Sequence, residues 1–380
     1  MLSILPRFCS LVALAALVTF TSTVDAQVYR GRRAGKTISP TGRLADCNLS
    51  GAVFMETNKA FNAIDGGRCI LNGARFELSE PSGDMGPYVP LEGVDLRHSS
   101  WVAVDFLTPP VLRYANAAQA NFSSIHTDGE PVEMVDATGL IATKAKFHGA
   151  QTALWFVQGA SFNEAEFTST LLNGWTTDPL SYEGMFESAP ESMRAMTASG
   201  AKFENCLLEE CNLAGASFDG SALILTKFSE ECVLNGCNFD NVIIEETDFL
   251  EANLSGASLK SARLDEASFE GCNLTGAVFS NAVIRESNFS GAEMRGVSFA
   301  HAIVEGSDFT GTDLSTSNLT NAVMKDLIGT PPALPQDFVI KSHELETVNA
   351  DNDTLRTPVY DIVISESRYN DGYRQKKAQN

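Results

Sequence analysis

Positive charge is scarce in this chain: 27 Lys and Arg stand against 48 Asp and Glu, a formal net charge of -21. Binding to nucleic acid needs clustered cations for the phosphates, so that class of partner is not expected. Histidine is scarce as well, at His98, His126, His148, His301 and His343. None of the five falls in register with an identifiable carboxylate partner. No CxxC pair, Ser-His-Asp order or glycine-rich phosphate loop is present, which argues against a zinc site, a triad hydrolase and a nucleotide fold. The expectation is therefore no cofactor, no metal and no catalytic residue.

Long apolar runs are also lacking, with one exception at the start. Arg7 precedes the ten-residue run LVALAALVTF (11–20), and Val24 and Ala26 then give a small-x-small site. A short basic region, a brief apolar core and such a site form the pattern of a secretory signal peptide. The run is too short to cross a bilayer comfortably. Residues 1–26 are thus expected to be removed near Ala26. The mature chain should be exported, periplasmic or extracellular, without a transmembrane segment.

What the sequence has in abundance is self-similarity. CNLSGAVF at 47–54 returns as CNLTGAVF at 272–279, with one letter changed. Looser copies begin at Cys69, Val94, Ala120, Ala145 and Thr170, and tight ones at Cys211, Cys232, Ala252, Cys272, Ala292 and Thr312. A period of five runs beneath them. Between Ala201 and Met324 every fifth residue is large and apolar, with a small residue two places before it, and a single extra residue slips in near Glu231.

This small-(D/N)-L-x-x pattern resembles the pentapeptide-repeat family. The resemblance is strict over 201–324 and loose over 44–177. It implies an all-β fold, a right-handed four-sided parallel β-helix with four pentads per coil. The residues support four sides independently of the family. Sorted by a twenty-residue period, the large side chains separate into like kinds. One column reads Leu213, Leu234, Leu254, Leu274, Met294 and Leu314, and another Phe228, Phe249, Phe269, Phe289 and Phe309. Like shapes segregate this way when coils stack one strand spacing apart. Twelve or thirteen coils are expected.

The organisation read from this is a signal peptide (1–26), a basic lead-in (27–43), irregular coils with loops (44–200), regular coils (201–326) and a C-terminal cap with a polar tail (327–380). Loops are expected around 77–93, 107–119 and 173–200, where Pro and Gly mark turns. The prolines of 327–338 should stop further pairing, and 357–367 reads as either a strand or a cap. The small inward position should reject anything larger than Val or Cys. Seven cysteines of the mature chain occupy it, which makes them buried small hydrophobes. Export leaves stacked bridges, Cys47 with Cys69 and Cys211 with Cys232, as an alternative.

Acidic residues are organised too. Within 201–324 there are nineteen Asp and Glu against six Lys and Arg. Outward positions on one side carry Glu204, Glu245, Glu246, Asp265, Glu266, Glu286 and Glu305, a candidate binding face. The expected function is a non-enzymatic exported scaffold that offers a rigid acidic surface to a protein or cell-envelope partner. Two alternatives stand beside it. One is a carbohydrate-active β-helix enzyme using the N-terminal loops. The other, implied by family members that present a DNA-like rod to type II topoisomerases, is a DNA-mimicking inhibitor, which requires that the chain is not exported.

Overall fold

The computed structural model describes residues 91, 93, 95–106, 110–127, 135–177, 195–229, 231–348 and 354–364, together with the backbone of the short strands Ala16–Thr19, Val28–Gly31, Val53–Met55, Arg75–Glu77 and Val89–Pro90. Every regular element among them is a strand, and together they make a β-solenoid of about nine turns. The earliest of the twelve or thirteen expected coils, and most of the leader, lie outside the described residues. No helix among the described residues is long and apolar enough to cross a membrane.

The chain divides into two compact units, Met1–Leu213 and Ala214–Asn380. In the first unit four parallel ladders define four sides. They run Asp95–Asn116–Ile141–Ser161–Thr197, Ser100–Asn121–Lys146–Glu166–Lys202, Asp105–His126–Gln151–Leu171–Leu207 and Val111–Asp136–Phe156–Thr176–Asn212. The five-residue alternation of burial runs from Pro110 to Thr127, from Leu140 to Thr152 and from Ala160 to Trp175, and is interrupted by continuously buried stretches at 135–140, 155–158 and 175–177. The loop expected at 107–119 therefore shrinks: Pro110 and Leu112 are buried in the coil, because Pro-Val here supplies an inward residue and a ladder position rather than a turn. Likewise 173–177 and 195–200 belong to the coils, leaving 178–194 outside the described residues.

In the second unit the columns fall as the twenty-residue period requires. Residues Ser217, Asn238, Ser258, Val278, Ser298 and Asn318 stack in parallel, as do Ala222, Ile243, Arg263, Val283, Ile303 and Val323. The extra residue near Glu231 changes one step from twenty to twenty-one, and the register then resumes. Inside, phenylalanine rings stack in parallel, offset planes up their column. Phe249–Phe269 lie 4.8 Å apart at 8°, Phe269–Phe289 5.1 Å at 5° and Phe289–Phe309 5.0 Å at 10°. Rings ten residues apart meet across the interior edge to face, as Phe279–Phe289 do at 5.8 Å and 87°. Both geometries suit the ring quadrupole.

Each corner needs one residue in the left-handed region, two places after the inward large one. Glycine fills it on the leucine side, as at Gly256 (φ 69°) and Gly276 (φ 72°), where a Cβ would meet nothing within 4 Å. Conformation rather than space thus favours glycine there. The Asp or Asn of the repeat secures the same corner, because its side-chain oxygen accepts the amide two residues on. Asn253 takes the Ser255 N–H at 3.1 Å, Asn288 that of Ser290 at 2.8 Å and Asp308 that of Thr310 at 2.8 Å. These are Asx turns, and they lock the corner.

The rule that the small inward position rejects large side chains fails in the first unit: Ile125, Leu140 and Met196 occupy that position and are buried, and the largest exceptions are two tryptophans. Trp155 and Trp175 occupy it, both 1% exposed, stacked at 5.3 Å and 7°. A large position in the preceding coil compensates for each tryptophan. It holds a threonine, Thr127 or Thr152, whose hydroxyl accepts the indole N–H at 3.4 or 3.0 Å. What the interior fixes is the summed volume of the inward residues that meet, not the size of each.

Beyond the last regular strand the prolines do not end the pairing. Gly329 bridges Asp308 and Ala333 bridges Asp313. Strand Phe338–Val348 and strand Thr354–Ile364 then form an antiparallel hairpin, and the second of these pairs antiparallel with strand Val323–Leu327. The cap is thus a hairpin turned back against the final coil. It resolves 357–367 in favour of a strand over its described part.

Candidate protein-binding face

One side of the second unit differs from the others. Elsewhere its regular coils touch through isolated bridges, but here three-residue strands repeat: Ala222–Ile224, Ile243–Glu245, Arg263–Asp265, Val283–Arg285 and Ile303–Glu305, ending in Val323–Leu327. In each, the middle residue points inward and its two neighbours point out, since strand side chains alternate. The inward set, Leu223, Ile244, Leu264, Ile284, Val304 and Met324, is buried. The β-branched residues that suit a strand therefore also appear on its outer surface.

Three outward columns result, by register. The first reads Ala222, Ile243, Arg263, Val283, Ile303, Val323 and is mostly apolar. Ile243 is 40% exposed, Ile303 43% and Val323 50%. The second reads Ile224, Glu245, Asp265, Arg285, Glu305, Lys325. The third is the corner, with Glu246, Glu266, Glu286 and Asp326 in the left-handed region.

Six of the seven residues of the expected acidic face share this side of the second unit. Glu204 belongs to the first unit, on strand Lys202–Glu204, where Lys202 pairs with it at 2.5 Å. The second column is also less uniformly acidic than expected, because Arg285 and Lys325 interrupt it. Lys325 pairs with Glu305 at 2.7 Å, and the hydrogen bond to Glu305 raises the Lys325 pKa above its usual value. Glu245, Glu246, Asp265, Glu266 and Glu286 make no ion pair among the described residues and point their charge at solvent. The apolar column beside them was not expected. Its signal was present in the sequence, in the β-branched residue preceding the inward one at Ile243, Val283, Ile303 and Val323.

Other acidic residues serve the corner rather than a partner. Asp248 accepts the Leu250 amide at 3.0 Å, and Asp313 accepts that of Ser315 at 2.8 Å. Hydrogen bonds from Ser315 hold the Asp313 carboxyl below the usual carboxylate range.

The expectation that no histidine falls in register with a carboxylate fails at His126, the register partner of Asp105, and two further histidines meet carboxylates outside the register. His148 lies 3.3 Å from Glu166, in the neighbouring coil. His343 lies 2.9 Å from Asp326 and 3.9 Å from Asp361. Neither pairing follows the repeat columns: the first is diagonal, and the second depends on the hairpin. The cysteines follow expectation, with Cys206, Cys211, Cys232, Cys237 and Cys272 free and buried. Burial pushes the Cys237 and Cys272 thiols up to about 12. Cys47 and Cys69, one of the two alternative bridges, lie outside the described residues. Of the loops named for the enzyme alternative, segments 78–88, 107–109 and 178–194 also lie outside the described residues.

Parallel ladders stacked coil on coil define a β-solenoid. Residues 198–229, 232–271, 262–300 and 292–326 match the family of pentapeptide repeats, in eight copies. The chain is a pentapeptide-repeat protein over 198–326. No curated protein matches it. Among solved structures it is similar to a pentapeptide repeat protein from the thylakoid lumen of Arabidopsis thaliana, at 33% identity over 27% of this chain and 68% of that one, TM-score 0.19. HetL, a pentapeptide repeat protein involved in heterocyst differentiation regulation from the cyanobacterium Nostoc, is 18% identical over 63% of this chain and 89% of its own, TM-score 0.21. Full-length QnrB1, a plasmid-mediated fluoroquinolone resistance protein, is 18% identical over 55% and 92%, TM-score 0.25.

Proposed function

We propose that this chain is a non-enzymatic, exported scaffold whose second unit binds a protein or cell-envelope partner on the face just described. The observation that carries this reading is the mostly apolar outward column on the one side built of continuous strands: Ile243, Ile303 and Val323 are exposed, Val283 is half-buried, and Arg263 stands between Ile243 and Val283. An apolar stripe with a charged border is the usual composition of a contact surface. The unpaired carboxylates at Glu245, Asp265, Glu246, Glu266 and Glu286 border it on one side. They select a partner with an apolar row and a basic rim, and they speed its approach at low salt. Repetition every twenty residues gives the site regular spacing, so a partner with its own repeating or extended surface fits best. Export rests on the basic, apolar and small-x-small segments of 7–26.

Two measurements test the proposal. Cross-linking in envelope extract is compared for the wild type, an Ile243→Asp/Ile303→Asp double variant and a Ser255→Asp control on the glycine side. A partner retained by wild type and control, weakened by salt and lost by the double variant is the expected result. Identical capture by all three overturns the face. Fractionation with N-terminal sequencing addresses export: a mature chain beginning at Gln27 is expected, and an intact Met1 in the cytoplasm overturns it.

A further inference from the structure

The C-terminal hairpin brings together three residues that the repeat does not align. Asp326 is the corner residue of the final coil, in the same column as Glu246, Glu266 and Glu286. In the regular coils the strand ends at that corner. Here strand Val323–Leu327 runs through it, and its register against Thr354–Ile364 slips between Met324↔Ile362 and Leu327↔Tyr360. The slip is a bulge, and bulges re-aim side chains. It directs the Asp326 amide to Asp361 Oδ1 at 3.0 Å and sets the Asp326 carboxylate beside His343. His343 and Asp361 share one face of the hairpin, because Lys341 is the register partner of Asp361 and His343 follows two residues later. One ligand atom from each of the three lies within 4.8 Å of the others.

We propose that Asp326, His343 and Asp361 form a divalent transition-metal site that clamps the hairpin to the last coil. An imidazole nitrogen with two carboxylate oxygens suits Zn²⁺ or Co²⁺; Ca²⁺ and Mg²⁺ prefer oxygen alone. Two carboxylates turned towards one imidazole concentrate negative charge, and the nearby cation, Lys325, stands 3.9 Å from Asp326 while pairing more closely with Glu305. A dication at the centre of the three neutralises that charge. The side chains are 27%, 42% and 32% exposed for Asp326, His343 and Asp361, so an ion reaches them from solvent and water completes its coordination. The site joins three strands from sequence positions 17 and 18 residues apart (326 to 343, 343 to 361), so metal binding stabilises the cap by linkage. This inference is independent of the proposed binding face.

The test uses the full chain, stripped of metal by chelator. Titration with ZnCl2 by calorimetry is expected to show one saturable site, and Co²⁺ to show absorption of a nitrogen- and oxygen-ligated ion without thiolate charge transfer. His343→Ala and Asp361→Asn are expected to weaken Zn²⁺ binding at least about tenfold. Zn²⁺ should slow hydrogen exchange across 338–364 in the wild type and leave it unchanged in both variants. Both side chains are partly exposed, so the metal-free melting temperature should hold, which separates ligand loss from misfolding. Absence of saturable binding, binding unchanged in His343→Ala, equal affinity for Ca²⁺, or thiolate bands with Co²⁺ each overturn the proposal.

Discussion

Removing the Phe289 ring is the most direct trial of the stacked interior. Phe289 is fully buried and contacts four other rings. It stacks on Phe269 at 5.1 Å and Phe309 at 5.0 Å, and it meets Phe279 at 5.8 Å and Phe299 at 6.2 Å edge to face. Phe→Ala in a core costs about 3–5 kcal/mol, as transfer free energy plus an unfilled cavity. Aromatic pairs contribute about 0.5–1.5 kcal/mol each beyond area, so four of them place this site at the upper end. Collapse cannot relieve the cavity, because the coils above and below are held at strand spacing by hydrogen bonds such as Phe289 N–H to Asp308 O at 2.8 Å. Phe289→Leu keeps most of the volume, as Leu259 does between Phe239 and Phe279 in a column of twenty-residue steps, and should cost about 1.5 kcal/mol or less. Phe289→Asp adds a buried, unpaired charge and should exceed the alanine variant. Urea denaturation followed by circular dichroism measures the cost. Hydrogen exchange of peptides spanning 269–309 localises it, which matters because solenoids unfold by segments. A cost below about 1 kcal/mol for Phe289→Ala, against the range for buried rings, or protection lost elsewhere instead, refutes the reasoning.

Three other outcomes follow from the same geometry. Ala267→Leu, at a small inward position beside the large Phe269, should cost about 1–3 kcal/mol in urea melts, since no Thr is there to make room; an unchanged midpoint refutes the volume rule drawn from Trp155 and Trp175. Gly256→Ala should destabilise by about 1–2 kcal/mol through its left-handed backbone alone. Its φ is 69° and the added Cβ meets nothing within 4 Å, so Gly256→Asn, which tolerates that region better, should cost less in the same melts. Cys237 and Cys272 should resist alkylation at pH 8 in the folded protein, because thiols with pKa values of about 12 carry almost no thiolate there. Both should react once denaturant returns them to water, and rapid native labelling at either position refutes their burial.

The sequence by itself determined the pitch, the four inward columns and the slip near Glu231. Each inward position faces a fixed volume, so the choice of Phe, Leu or Ala is written plainly at every fifth residue. It marked the corners of the leucine side, where Gly recurs, but not those that hold Glu246, Glu266 and Glu286 in the same left-handed region. The outward surface was legible in part: Glu245, Asp265 and their neighbours could be assigned to one side, but the apolar column beside them and the interruptions at Arg285 and Lys325 were not foreseen. Solvent-facing side chains are weakly constrained, so their types carry little signal until the strands fix which of them stand side by side. Tertiary structure alone decided that two tryptophans fit a small position, because only contact with Thr127 and Thr152 of neighbouring coils makes the room. It alone brought His343 to Asp326 and Asp361 as well. That meeting depends on an antiparallel hairpin outside the repeat, whose pairing does not follow the twenty-residue period.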